Sequence, residues 1–324
     1  MTASPLVCPI PTRRTSPYAP LSVNDLAALP PTEWAVEGLL PERGRGMLFG
    51  VSGAGKSLAA LDLTLSIAAG VEDWFGRRVK QGRVIYIVGE GLHGLDRRIR
   101  AWRSIHPGAD LERFHILPAM PPLNDSGAVD EMLEELAGAA IRSASWIVWD
   151  TLARAIPGVD ENSATDLGMA IASVDRIATE LSAGALLVHH AGHNTSRERG
   201  STALRASCDF VLGLSEDDGR HQLKVSKMRD GDHGDPVFLR MVKQPPSVVF
   251  QSADPPVPLL TPAQRDLLKA LAKEGPMNHT ALVESSPKSR STASDLVRTL
   301  LGVGLIEKSG TLYRITATGS EAIA

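Results

Sequence analysis

The clearest chemistry in the chain lies in the run Gly50-Val51-Ser52-Gly53-Ala54-Gly55-Lys56-Ser57. It matches G-x-x-x-x-G-K-S/T, the Walker A phosphate loop, at every fixed position. Glycines let such a loop turn tightly and aim backbone N–H groups inward at a polyphosphate, and the following helix adds its positive dipole end. Lys56 is then the cation for the β- and γ-phosphates, and Ser57 the hydroxyl ligand of a Mg²⁺ ion. Gly50, Ser52, Gly53, Ala54, Gly55, Lys56, Ser57 and Leu58 make up the expected ATP site. The alternative is a glycine-rich turn with an incidental Lys-Ser. The context disfavours it, because Arg45–Phe49 reads as a buried strand and Leu58–Ala69 as a helix.

Further polar residues close apolar runs downstream. Trp146-Ile147-Val148-Trp149 ends on Asp150, the hhhhD form of a Walker B aspartate, which would share the magnesium ion with Ser57. Arg83–Val88 leads to Gly89-Glu90-Gly91, and Glu90 is the carboxylate best placed to align the attacking water. Its plainer role would be to cap the helix Leu92–Ile105. Ala185–Val188 runs into His189-His190, for which metal ligation, a structural histidine and a γ-phosphate sensor are all open, the sensor being preferred.

Together these pieces form the RecA-type ATPase layout, and the chain most resembles the hexameric RepA-type ATPases of plasmids and phages. The shared segments are Tyr86–Glu90 with Arg97-Arg98 downstream, Val148–Arg154, Val188–His190 and Arg199–Leu204, within residues 33 to 250. The resemblance implies Glu90 as the catalytic carboxylate, His190 rather than His189 as the sensor, and Arg98 as a contact to nucleotide. It also implies a homo-oligomer, normally a hexameric ring. There Lys227 and Arg229 of one subunit would reach the γ-phosphate of the next, although a solvated edge-strand pair is the bland alternative. The loops after Asp150 and after His190 would line a channel for single-stranded DNA through Arg154, Arg197 and Arg199. Neither loop offers an aromatic for base stacking, so backbone contacts would dominate. The function implied is a DNA motor driven by ATP and Mg²⁺, a helicase or accessory for forked DNA in mobile-element replication. The rivals are a recombination-mediator ATPase without unwinding and a nucleotide-switched DNA-binding regulator.

The elements needed to hold these residues are legible as alternating strands and helices. Continuous apolar runs separated by helices predict an α/β fold, a mostly parallel sheet covered on both faces, and Phe210–Phe250 extends it with partly antiparallel strands. Residues 1–31 are proline-rich and expected to lie extended as an arm or tail, 32–251 form the RecA-like domain, and 252–260 a linker. Residues 261–324 read as three helices and a hairpin, the winged helix-turn-helix order. In that domain Lys288 and Arg290, with Ser286, Ser289 and Arg298, form a plausible groove-facing set, and docking of replication proteins is the alternative use.

Composition sets the outer limits. At 324 residues, with 43% hydrophobic and 22% charged residues, the chain has the make-up of a soluble globular protein with one large core and a smaller second domain. A net charge of −3 provides no global attraction to nucleic acid, so any such contact must use local basic patches. Cys8 and Cys208 are the only cysteines, which excludes a disulfide framework and agrees with a cytoplasmic protein. No apolar stretch approaches the ~20 residues of a membrane span, and no signal-peptide core is evident.

Overall fold

The computed structural model of the chain describes residues 20–28, 30–158, 163–190, 202–231, 233–254 and 260–323. These divide into two compact units, with the division between Ala253 and Asp254.

The first unit is built on one large sheet. Its strands are β1 (Arg45–Gly50), β2 (Val84–Val88), β3 (Phe114–Leu117), β4 (Trp146–Asp150), β5 (Gly184–His190), β6 (Phe210–Asp217), β7 (Arg220–Met228), β8 (Val237–Gln244) and β9 (Ser247–Ser252). They lie in the order β9-β8-β7-β6-β1-β5-β4-β2-β3. From β3 to β6 every neighbouring pair is parallel, and from β6 to β9 every pair is antiparallel. The helices are α1 (Lys56–Ala69), α2 (Leu92–Ile105), α3 (Ser126–Gly138), the short α4 (Leu152–Ala155), α5 (Ala164–Glu180) and α6 (Thr202–Ser207). A large mixed sheet flanked by helices fits a RecA-like core.

Side chains alternate across a strand, so each central strand feeds two cores. Leu48, Tyr86, Val88, Val148, Val188 and Leu212 join a cluster with α1 and α2. Met47, Phe49, Ile87, Trp149, Leu187 and Val211 join the opposite cluster with α3 and α5. The strands β1, β2 and β4 are buried at every position, which is why they read as unbroken apolar runs. Helix α1 is almost wholly interior and ends at Gly70, whose φ of 67° lets its N–H return to the Ile67 and Ser66 carbonyls.

The N-terminal expectation needs a correction within the described residues. Val23–Ala27 forms a short helix rather than extended chain. Ser22 and Asp25 explain it: the Asp25 N–H donates to Ser22 Oγ at 3.1 Å, and the Ser22 N–H donates back to Asp25 Oδ2 at 2.8 Å. The prolines on either side bracket that turn without entering it. Residues 1–19 and the linker positions 255–259 lie outside the described residues.

The second unit holds α7 (Pro262–Glu274), β10 (Met277–Asn278), α8 (His279–Glu284), α9 (Arg290–Gly302), β11 (Ile306–Ser309), β12 (Leu312–Ile315) and the short α10 (Ala317–Glu321). The three strands pair as β10-β12-β11. Its separate core includes Leu267, Leu271, Leu282, Val297, Leu300 and Tyr313. Thr261 and Gln264 form a full capping box with Pro262 in the first turn of α7. Ser286, expected on an outward set, is instead buried, where its hydroxyl accepts the Lys288 N–H.

Candidate nucleotide site

Strands β1, β4 and β5 carry Gly50, Asp150 and His190 at their carboxyl ends, and paired registers bring them side by side. Gly50 pairs with His190, and Asp150 with Val188 on one side and Val88 on the other. In an open α/β sheet this edge is where ligands sit. Alternation then decides which side chains meet. Asp150 and His190 fall on the face that packs α1, as Val148 and Val188 do, whereas His189 falls on the other face and is buried.

The phosphate loop joins β1 to α1. Gly53 and Gly55 adopt φ of 85° and 82°, left-handed conformations that favour glycine. Gly50 is required for a different reason: a Cβ there would lie 2.3 Å from the backbone oxygen of Leu214 in β6. Helix α1 starts at Lys56 itself, with Gly55 as its N-cap and no side chain capping it. Its first-turn N–H groups are therefore directed at whatever the loop encloses. Lys56 Nζ donates to the Gly50 carbonyl at 3.0 Å and to the Val51 carbonyl at 2.9 Å, and stands 3.4 Å from His190 Nδ1. Burial lowers the Lys56 pKa, and the nearby Asp150 carboxylate partly offsets that.

Beside the lysine lies an acidic centre. Ser57 Oγ donates to Asp150 Oδ1 at 2.9 Å, and Tyr86 Oη donates to Asp150 Oδ2 at 2.8 Å. Burial raises the Asp150 pKa, opposed by the Tyr86 and Ser57 hydrogen bonds and by the charges of Arg98 and Lys56. The same burial pushes Tyr86 well above the usual phenol value, so it acts as a neutral donor. Arg98, on α2, is thus electrostatically part of the centre. The peptide between Asp150 and Thr151 is cis. A buried serine hydroxyl and a buried carboxylate form an oxygen pair suited to a hard cation such as Mg²⁺.

Glu90 sits two residues beyond β2, next to Asp150, whose carbonyl accepts the Gly89 N–H at 2.7 Å. It does not cap α2, because Gly91 is the N-cap and no side chain caps that helix. Instead its Oε1 accepts from Arg154 Nε of α4 at 2.5 Å. Among the described residues no group of three or more His, Cys, Asp or Glu is gathered for a metal. The two histidines themselves diverge to opposite faces of the sheet.

Lys227 and Arg229 lie at the far edge. Lys227 pairs with Val211, near the start of β6, and β6 begins beside Gly46 at the start of β1. Lys227 lies level with Met47, about 10 Å along β1 from Gly50, and Arg229, beside Asp209 and Arg45, about 16 Å from it. Lys227 Nζ donates to the carbonyls of Arg205, Ala206 and Cys208 at 2.9, 3.1 and 2.5 Å, closing the end of α6, and burial lowers its pKa. Arg229 pairs with Asp209 at 2.7 Å. Lys288 and Arg290 are exposed at the start of α9 in the second unit. Arg197 and Arg199 lie outside the described residues.

Tyr86 is the residue that sequence reasoning missed. It opens the segment Tyr86–Glu90, but nothing local marks it as the partner of an aspartate 64 positions away. Its signal was a tyrosine two places before the end of a buried strand, with its hydroxyl in need of a partner.

A scan against protein families matches residues 12–196 to the AAA domain. A comparison with curated proteins finds no match. The matched segment spans more than half of the chain and holds the phosphate loop, Glu90, Asp150 and both histidines. No helix among the described residues is long and apolar enough to cross a membrane.

Proposed function

The chain belongs to the AAA domain family of P-loop ATPases, and on that premise we propose that it is a ring-forming, ATP-hydrolysing DNA motor, a helicase or helicase-like accessory of mobile-element replication. The observation that carries the hydrolytic part is the convergence of Lys56, Ser57, Asp150, Tyr86 and His190 at one sheet edge, with Glu90 on the adjacent strand end.

The chemistry follows from those side chains. A triphosphate would take the place of the Gly50 and Val51 carbonyls as partner of Lys56, and would accept from the first-turn N–H groups of α1. Ser57 and Asp150 would hold Mg²⁺, which supplies charge neutralisation on the phosphate oxygens. Glu90 would take or align the proton of the attacking water. His190, within hydrogen-bonding distance of Lys56, would register whether that lysine is engaged by phosphate.

The DNA-directed part rests on resemblance and on where the cations lie. Arg154 stands exposed beside Glu90, on the same edge as the nucleotide site. In the second unit, three helices and a small sheet support a winged helix-turn-helix domain. Its exposed Lys288 and Arg290 sit at the positive end of α9, where cations disfavour the helix and suit a phosphate backbone. The proposed ring would bring Lys227 and Arg229, which lie toward the opposite end of the sheet from their own phosphate loop, to the nucleotide of a neighbouring subunit.

The test is ATP hydrolysis by the purified chain with and without oligothymidylate, beside two variants. Lys56→Ala should abolish turnover and weaken triphosphate binding, while Glu90→Gln should bind ATP normally and not hydrolyse it. Normal turnover by Glu90→Gln removes the carboxylate assignment. Hydrolysis indifferent to the strand leaves a P-loop ATPase and removes the motor. Unwinding of a forked duplex separates a helicase from a mediator that only remodels DNA.

A further inference from the structure

Arg154 and Glu90 form an ion pair at 2.5 Å with both side chains more than half exposed. The contact is built from the backbone upward. Gly89 N–H bonds to the Asp150 carbonyl at 2.7 Å, and Arg154 N–H to the Thr151 carbonyl at 3.0 Å, which fixes the strand end and the α4 turn against each other. Gly89 leaves room for the arginine stem: a Cβ there would lie 2.8 Å from Arg154 Cβ and 3.0 Å from the Asp150 carbonyl. The stem therefore runs over Gly89 and delivers its guanidinium to the next residue, Glu90.

A carboxylate that must accept a water proton is a poorer base while a guanidinium occupies one of its oxygen lone pairs. The pair is also exposed enough to exchange partners, since ion pairs of this kind hold together by no more than about fivefold in population. A phosphodiester oxygen is a competing acceptor of the same geometry and charge for arginine.

We propose that Arg154 is a positioning residue that withholds Glu90 from the attacking water until the phosphate backbone of a single strand takes the guanidinium away. This rests on the preceding reading of the chain as a strand-dependent ATPase with Glu90 as its base. It adds the route by which the strand would act on the rate: one cation with two mutually exclusive anionic partners, one of them the base itself.

The experiment measures hydrolysis at saturating ATP and low salt, with and without oligothymidylate, for the full chain and for Arg154→Ala, Arg154→Lys and the double variant Arg154→Ala with Glu90→Gln. Arg154→Ala should raise the strand-free rate about threefold to fivefold and respond little to added strand, with ATP affinity unchanged. Arg154→Lys, which keeps charge without the planar fork, should fall between. The double variant should be inactive, showing that the gain passes through Glu90. Rising salt should lift the strand-free rate of the wild type and not that of Arg154→Ala. A strand-free rate of Arg154→Ala at or below the wild type, with ATP binding intact, overturns the proposal. Should that variant fail to fold, Arg154→Gln keeps the stem over Gly89 and carries the same expectation. If the wild type hydrolyses ATP without responding to the strand, the motor reading fails by itself. A raised Arg154→Ala rate would then keep the restraint and remove the strand as its release.

Discussion

Tyr86 Oη and Ser57 Oγ each donate to a different oxygen of Asp150, so this buried carboxylate is held from two sides before any ligand arrives. Removing one donor leaves a buried acceptor short of a partner, at a cost of about 1–3 kcal/mol. Tyr86→Phe should therefore lower stability in denaturant titration by that amount. The lost bond also lowered the Asp150 pKa, so its removal should move the acid limb of the hydrolysis profile to higher pH. A profile unchanged in Tyr86→Phe would show that Asp150 ionisation does not govern that limb. At this scale the sequence was legible where the chemistry is local. The phosphate loop is contiguous, and Asp150 and His190 end apolar runs that could be read directly. Tyr86 was hidden because its partner is decided by which strand lies beside which. The intrachain partners of Lys227 were hidden for the same reason, because the α6 carbonyls it closes are brought to it only by the packing of β6 against β7.

Helix α1 does two jobs at different ends. Its first turn faces the phosphate site, while its middle is buried among apolar neighbours and includes one acid, Asp62, whose Oδ1 accepts from Trp74 Nε1 at 2.7 Å. Burial pushes the Asp62 pKa up to about 7 from an ordinary 3.8. The folded chain then favours the protonated form. Stability is greatest below the unfolded value, falls as pH rises from about 4 to 7, and levels off above. One group with that shift is worth roughly 4 kcal/mol across the window, and the raised Asp150 acts in the same direction. Asp62→Asn keeps an oxygen for Trp74 and removes the titration. Its melting temperature should vary less between pH 5 and 8 than that of the wild type, and should exceed it at pH 8. Equal slopes in the two proteins would mean that Asp62 stays ionised in the fold. Such an acid is not visible in the sequence, because the partner that admits Asp62 to the interior, Trp74, reaches it only once α1 is packed. The large elements were legible because β1, β2 and β4 are buried on both faces and so lose their polar alternation. The Val23–Ala27 turn was missed because a capping pair, not composition, forms it.

For the whole molecule, the placement of Arg229 makes assembly testable without a structure of the assembly. Its pair with Asp209 joins a half-exposed guanidinium to a partly buried carboxylate, so Arg229→Ala should cost stability about 1 kcal/mol. Any larger loss of activity would then report a role outside its own fold. Mixing Arg229→Ala with Lys56→Ala should restore part of the hydrolysis that each lacks, because some interfaces would join an intact loop to an intact arginine. Failure to recover activity, with both variants folded and associated, would confine Arg229 to its own subunit. A different consequence follows from what stands against the phosphate loop. The nearest atoms to the space above Gly50 and Gly55 belong to Leu214, Met241 and Phe250, all beyond residue 196, where the recognisable family segment stops. A fragment cut at that boundary would keep every residue that names the site and lose the floor it rests on. What can be identified from sequence in this chain is smaller than what must be made to have it work.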